Sequence, residues 1–455
     1  MSWVDNAIFY HIYPLGLCGA PSENDQQSPV VHRLEKIYSW LDHLEWLGVN
    51  AVILGPVFEA RTHGYDTIDY LKVDRRLGTG DTLHELVEAM HAKGIRVVLD
   101  AVLNHVSRDF FAFKEVLERL ESSGYWHWFN GMKMEPGSVM GDPFVYEGWN
   151  GHLELVKLNT GLQDVRNYLL AVTGKWMDHY GIDGFRLDAA DCLDQGFMKQ
   201  LAEYCRSRRE DFWLMGEVVF GDYNHWANKE MLDSVTNYEI YKGLYSSLND
   251  GNLFEIAHSL KRQYSSEGIY RDLRLYNFVD NHDVDRIASQ LKNPHHLPLV
   301  YGLLFSIPGI PSVYYGSEWG YPGRKLPESD TQLRPDLDLD ACIRQAPRPA
   351  LPDWVRTLVR VRRTNAALRN GSCRMLLVQS EQLVFSRNTE SETAVVVLNA
   401  SDKSSKMAFD CELADGELVD MLEGKDGWLV RGGQVEGELP AYSFKLLQWQ
   451  ALKQQ

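Results

Sequence analysis

Short apolar runs recur along the first two-thirds of the chain, and stretches with helical spacing separate most of them. Eight of these runs read as strands: IFYHIYP (8–14), NAVILGPV (50–57), RVVLDAVL (96–103), GFRLDA (184–189), FWLMGEVV (212–219), DSVTNYE (233–239), RLYNFVDN (274–281) and IPSVYYGSE (310–318). The first helices between them are well signalled. Leu34, Ile37, Leu41 and Leu44 line one face, and Gly48 ends that helix. Leu83, Leu86, Val87 and Met90 line the next, with Thr82 and Glu85 as its expected capping box and Gly94 as its stop. Strands alternating with helices imply parallel pairing through right-handed crossovers, and eight such strands predict an α/β fold, a (β/α)8 TIM barrel.

Two segments break the alternation. The stretch from Leu103 to Gly184 is about double a normal unit. Its residues 106–160 are rich in Gly, Trp, Phe and Met with little periodicity, and are read as a domain inserted after strand three above the C-terminal mouth of the barrel. After residue 364, QLVFSR, TAVVVLNAS, GELVDML and YSFKLLQW follow at hairpin spacing and predict a C-terminal antiparallel β-sandwich. The expected organisation is a barrel from 1–105 and 161–364, an insert from 106–160, and a sandwich from 365–455.

The charge narrows the function. With 63 acidic against 46 basic residues the formal net charge is −17, which excludes the basic footprint that nucleic acid requires and suits a neutral substrate. No apolar run approaches the ~18 residues of a membrane span. The N-terminal MSWVDNAIFYHIYP lacks the basic, apolar and small-residue segments of a secretory signal. Six cysteines without CxxC spacing are expected as free thiols in a reducing, cytoplasmic compartment. Oligomeric state is left open.

In a barrel of this kind, polar side chains at the C-terminal ends of the strands face the active site. Strand three ends in Asp100, Asn104 and His105; strand four carries Arg186 and Asp188; strand five ends in Glu217; strand seven ends in Asp280, His282 and Asp283. A lone Asp after a strand is usually a cap, and a lone Arg–Asp pair is often structural. Four such clusters at four strand ends point instead to a site. Arg186 and Asp188, two apart, share the inward face, while Phe185 and Leu187 turn to the helices. Paired carboxyls suit glycoside cleavage, one as nucleophile and one as acid and then base. Arg186 is expected to favour ionised Asp188, and the apolar FWLM before Glu217 to keep that carboxyl protonated. Asp283 suits a sugar's hydroxyls and the positive charge of the transition state; His105 and His282 suit the same hydroxyls.

DAVLNH, GFRLDAAD, GEVV and FVDNHD, in this order and spacing, closely resemble the four signature regions of the α-amylase family, glycoside hydrolase family 13, and HGYDTIDY (63–70) resembles its motif after strand two. The resemblance covers essentially the whole chain. It implies Asp188 as nucleophile, Glu217 as general acid/base and Asp283 as transition-state stabiliser. It implies Tyr65 stacked on the sugar, with His63, His105, Arg186 and His282 as substrate-binding residues and Asp100 as a partner near the nucleophile. It also implies retention of anomeric configuration, with the Asp188 and Glu217 carboxyls roughly 5–5.5 Å apart. LVKLN (155–159), with YWHWF (125–129) and GWNG (148–151) before it, is similar to the neopullulanase, cyclomaltodextrinase and maltogenic-amylase group, without that group's N-terminal domain.

The function so implied is hydrolysis of α-glucosidic bonds in maltooligosaccharides, with cyclodextrins or pullulan as further substrates; the alternative is a 4-α-glucanotransferase or a relative directed at small disaccharides. Asp191–Cys192 and Val219 depart from the group on the acceptor side of the cleft, where Asp191 is either an acceptor-side residue or a helix start. Family members often hold calcium beside the residue equivalent to Asn104. Lys157 stands here where those enzymes carry an aspartate, and an ammonium cannot ligate calcium. No metal or other cofactor is therefore expected, and Asn104 is expected to be a hydrogen-bonding strut between domains. Trp126, Trp128, Phe129 and Trp149 are expected either to fill the insert's core or to line the cleft.

Overall fold

The computed structural model describes residues 2–327, 329–424 and 427–451. All eight expected barrel strands form: β1 Phe9–Ile12, β2 Ala51–Leu54, β3 Arg96–Ala101, β4 Gly184–Leu187, β5 Trp213–Gly216, β6 Ser234–Val235, β7 Tyr276–Phe278 and β8 Ile310–Tyr314. They pair in parallel in the order β6-β5-β4-β3-β2-β1-β8-β7. A parallel bridge between Thr236 and Tyr276 closes the ring. The main outer helices are α1 Tyr38–Leu47, α2 Gly80–Ala92, α3 Gln163–Tyr180, α4 Gln195–Arg208, α5 Tyr238–Asn249, α6 Phe254–Tyr264, α7 Leu297–Ser306 and α8 Leu351–Thr364. Helix α2 starts a turn before its expected cap. Thr79 accepts from the Thr82 amide and Thr82 returns the bond to Thr79, so the box is Thr79/Thr82 and Glu85 has no part in it.

Alternation along the strands sorts the side chains. Phe9, Ala51, Ile53, Val98, Trp213, Met215, Tyr276, Phe278 and Ile310 form one buried cluster inside the barrel. Tyr10, Val52, Leu54, Val97, Leu99, Phe185 and Leu214 belong to the larger core beneath the helices. Gly184 has to be glycine, since a Cβ there would lie 2.4 Å from the Trp213 carbonyl oxygen. Two residues beyond Val98 on the same inner face comes Asp100, paired in register with Arg186. The apolar filling thus gives way to charge at the top of the barrel.

The insert is built on a three-stranded antiparallel sheet, His105–Ser107, Gly148–Trp149 and His152–Lys157. Its helix Phe111–Arg119 buries Ala112, Phe113 and Val116, too short an apolar set to stand out in sequence. Trp126, Trp128 and Phe129 are buried there as core. The C-terminal strands are β9 Ser372–Val378, β10 Gln382–Asn388, β11 Thr393–Asn399, β12 Ser405–Asp410, β13 Gly416–Asp420, β14 Trp428–Arg431, β15 Gln434–Leu439 and β16 Ser443–Ala451. They pair in the order β9-β10-β11-β16-β13-β14-β15-β12, around a core that includes Val395, Val397, Phe409, Trp428 and Val430. Buried Arg387 donates to the Ser306 carbonyl at 2.6 Å and ties this sheet to α7. Among the described residues no helix is long and apolar enough to cross a membrane.

Candidate active site

Arg186 organises the top of the barrel. It is 3 % exposed. Its Nη1 donates to both oxygens of Asp100 at 2.8 Å. The same nitrogen lies 3.6 Å from Asp188 Oδ1, and Nη2 lies 3.0 Å from Glu217 Oε2. One guanidinium therefore touches three carboxyls from three neighbouring strands. Alternation on β4 gives Arg186 and Asp188 the same face, and the Glu217 amide is fixed by the Leu187 carbonyl at 2.8 Å.

Arg186 favours ionised Asp188, as expected, but is outweighed. Burial, and then the Glu217 carboxyl, push Asp188 well above the usual carboxylate range, with Arg186 opposing them. The reason is geometric. Arg186 spends its close contacts on Asp100 and Glu217, so Asp188 receives only the longer one. Glu217 Oε2 also faces the Ala189 amide at 3.3 Å, and Oε1 accepts from the Tyr238 hydroxyl at 3.3 Å. Asp188 and Glu217 thus share Arg186 as a common partner.

Asp283 faces them from the loop after β7. Its Oδ2 lies 2.9 Å from His282 Nε2 and its Oδ1 3.0 Å from Arg334 Nη2. Burial opposes its ionisation, but His282 and Arg334 outweigh burial and hold Asp283 well below the usual range. The Tyr65 ring lies parallel to His282 with centroids 5.4 Å apart, and its hydroxyl donates to Asp100 Oδ2 at 2.9 Å and meets His282 Nε2. His63 backs this tyrosine, accepting from the Tyr65 amide at 3.2 Å.

His105 is buried beside Asp188, with Nε2 3.8 Å from Oδ2. Burial pushes this imidazole down to about 3, so it is neutral. The Asn104 amide lies 3.1 Å from Nδ1, which leaves the ring proton on Nε2. That nitrogen has no partner among the described residues. Trp149 lies across the same imidazole at 5.6 Å and is the one aromatic of the expected four that faces the site. The side chain of Asn104 does not bridge the domains as expected. Its backbone carbonyl does, accepting from the Leu158 amide at 2.9 Å. The strand pairing of His105–Ser107 with the insert explains this, since the ladder supplies the tie.

Asp191 lies in an exposed turn beyond the strand, next to Cys192. The helix start belongs to Asp194, which accepts from the Phe197 amide at 3.0 Å. Sequence reasoning missed Tyr238, Asn281 and Arg334. Tyr238 lies in the sixth strand segment, DSVTNYE, but the strand itself is only Ser234–Val235, too short for its end to be read from alternation. Arg334 carried no signal, lying in a loop far along the chain.

Residues 22–357 match the family described as alpha amylase, catalytic domain, and residues 374–446 match the maltogenic amylase C-terminal domain. A cyclomaltodextrinase from Bacillus sp is 32% identical over 430 residues, covering 89% of this chain and 74% of that protein. A solved cyclomaltodextrinase structure superposes with a TM-score of 0.86 at 28% identity, covering 98% of this chain and 78% of the other. The cyclic α-maltosyl-(1→6)-maltose hydrolase from Arthrobacter globiformis, ligand-free, gives 0.80 at 26% identity, covering 98% and 100%. The chain belongs to the α-amylase family and is a glycoside hydrolase.

Proposed function

We propose that the enzyme cleaves α-glucosidic bonds in maltooligosaccharides, with cyclodextrins or pullulan as further substrates, and with retention at the anomeric carbon. The observation that carries this reading is the single guanidinium that touches both Asp188 and Glu217, with Asp283 facing them. In the first step the Asp188 carboxylate bonds to the anomeric carbon while Glu217 gives its proton to the leaving oxygen. This step requires Asp188 ionised and Glu217 protonated. In the second step Glu217 takes a proton from water, the water oxygen bonds to the anomeric carbon, and the ester to Asp188 breaks. Ionised Asp283 favours the positive charge on the sugar ring. The unpaired N–H of His105 is available to a sugar hydroxyl, and the Tyr65 ring to a sugar face.

The reading needs no metal. Asn104 Oδ1 is buried without a partner among the described residues, and the ammonium of Lys157, from the strand that pairs with His105, lies 3.8 Å from Glu147. Calcium takes about six to eight oxygens. Among the described residues no three His, Cys, Asp or Glu side chains are grouped to hold a metal ion. The six free cysteines support a reducing compartment, and we place the reaction in the cytoplasm.

Glu217→Gln tests the assignment. Hydrolysis of maltotriose falls about 10²–10⁴-fold, while a maltosyl donor whose leaving group needs no proton still forms the glycosyl-enzyme, detectable by mass spectrometry. Unchanged maltotriose turnover, or products with inverted configuration by NMR, overturns the reading.

A further inference from the structure

The two oxygens of the Glu217 carboxyl have unequal surroundings. Oε2 faces two donors, Arg186 Nη2 at 3.0 Å and the Ala189 amide at 3.3 Å. Oε1 has Tyr238 alone, its hydroxyl 3.3 Å away. The direction of that phenol is set by a chain running back to the third carboxylate. The Asp283 amide donates to Asn281 Oδ1 at 2.8 Å, which turns Asn281 Nδ2 toward Tyr238. Nδ2 donates to the Tyr238 oxygen at 3.3 Å. The phenol oxygen being occupied as acceptor, its own proton points to Glu217 Oε1. The ring cannot swing away, because Phe278 meets it edge-on at 5.0 Å and Tyr241 at 6.0 Å. Asn237, the cap of α5, fixes the backbone there by accepting from the Ile240 amide.

We propose that Tyr238 is the positioning residue for the acid/base: it reserves Glu217 Oε1 as the oxygen that exchanges the catalytic proton, and favours the carboxylate form that activates water. This rests on the reading of Glu217 as acid/base. Oε2 is engaged by Arg186 and a main-chain donor, so a proton arriving there displaces a charge-assisted bond; on Oε1 it displaces only a neutral phenol. The second half-reaction needs Glu217 as a base while Asp188 is held as an ester. A donor to the carboxylate stabilises that form. The other groups around this carboxyl are Arg186 and Asp188 from β4, Asp100 from β3, His105 from the strand that follows it, and His282 with Asp283 from the loop after β7. Asp283 keeps His282 and Arg334 as partners when the phenol oxygen is removed.

The test uses α-maltosyl fluoride, whose departure needs no acid, so that water attack on the glycosyl-enzyme limits kcat. Asp188 is then esterified, and the acidic side of the kcat profile reports Glu217. Tyr238→Phe keeps the ring and removes the donor, and moves that acidic limb to higher pH by about half to one unit. Incorporating 3-fluorotyrosine at Tyr238, a stronger donor of nearly the same shape, moves it to lower pH. A limb unmoved by both changes, or a uniform loss at every pH, overturns the proposal. Glu217→Gln separates the two levels. If it abolishes the limb while both changes at Tyr238 leave it in place, the Tyr238 inference alone fails. If the limb survives Glu217→Gln, the reading of Glu217 as acid/base fails.

Discussion

Strand β4 is flanked by two buried aspartates, Asp183 at its foot and Asp188 at its head, in surroundings of opposite character. Asp183 Oδ1 receives Arg96 at 2.7 Å and Arg209 at 2.6 Å; Oδ2 receives the Val97 amide at 2.8 Å and meets His91 Nε2 at 2.7 Å. Burial raises this carboxyl, but His91, the Val97 amide and Arg96 outweigh burial and bring it down to about 2. Asp188, inside the same strand-end alternation, has among the described residues only Arg186 at 3.6 Å and His105 at 3.8 Å, and is pushed up. The difference separates two uses of a buried carboxylate. At the foot every lone pair is satisfied and the charge clamps β3, β4 and the end of α4. At the head the carboxyl is left short of donors, so it keeps a reactive oxygen, and the fold carries the cost.

The largest expected effect comes from replacing the two side chains one at a time. Asp188→Asn removes the attacking oxygen and lowers kcat on maltotriose by at least about 10⁴-fold, with stability unchanged or improved. Asp183→Asn leaves kcat per folded molecule within about 3-fold, because its partners lie at the far end of the barrel. A loss of activity in Asp183→Asn matching that of Asp188→Asn, at equal folded fraction, would break the distinction.

Stability is expected to reverse the ranking. Asp183→Asn costs about 3 kcal/mol, the low end of the range for breaking a buried ion pair. The low end applies because His91, Arg96 and Arg209 are 34%, 39% and 30% exposed and their charges reach water once the carboxylate is gone. Urea midpoints of the two variants measure this. Asp188→Asn unfolding more readily than Asp183→Asn would show that the head of the strand is the clamp.

Sequence alone reached Asp188 and not Asp183, for a physical reason. Period-two alternation shows which side chains share the inner face, so Arg186 and Asp188 were legible as a pair. It does not show what arrives from elsewhere. Arg96 and Arg209 come to Asp183 from β3 and from beyond α4, and Arg334 comes to Asp283 from a loop. Most of the strands are legible because each carries a run of apolar residues. Tyr238 was not, because β6 is two residues long and gives almost no pattern against which a strand end can be placed. How weakly Arg186 weighs on Asp188 is hidden from the sequence for the same kind of reason. The neighbour of Asp188 in sequence is Arg186, but Arg186 gives its close contacts to carboxyls on other strands.

The smallest expected effect is in the pH dependence of stability, where the two aspartates act with opposite sign. Asp183 is depressed in the folded chain, so its contribution, about 2 kcal/mol, is complete above the unfolded value near 4. It is lost as pH falls toward about 2, where the folded carboxyl takes up its proton. Asp188 is raised, so the folded chain holds that proton more tightly than the unfolded chain does, and stability declines as pH rises from near 4 through the folded value. Unfolding curves for the parent and both variants between pH 3 and pH 8 separate the two. The deficit of Asp183→Asn narrows on the acid side. Asp188→Asn gains on its parent as pH rises, since Arg186 keeps Asp100 and Glu217 as partners when the charge of Asp188 is removed. An Asp188→Asn chain that loses ground to its parent as pH rises would mean that Arg186 does hold Asp188 ionised in the free enzyme, and the two ends of β4 would then differ in chemistry but not in electrostatic design.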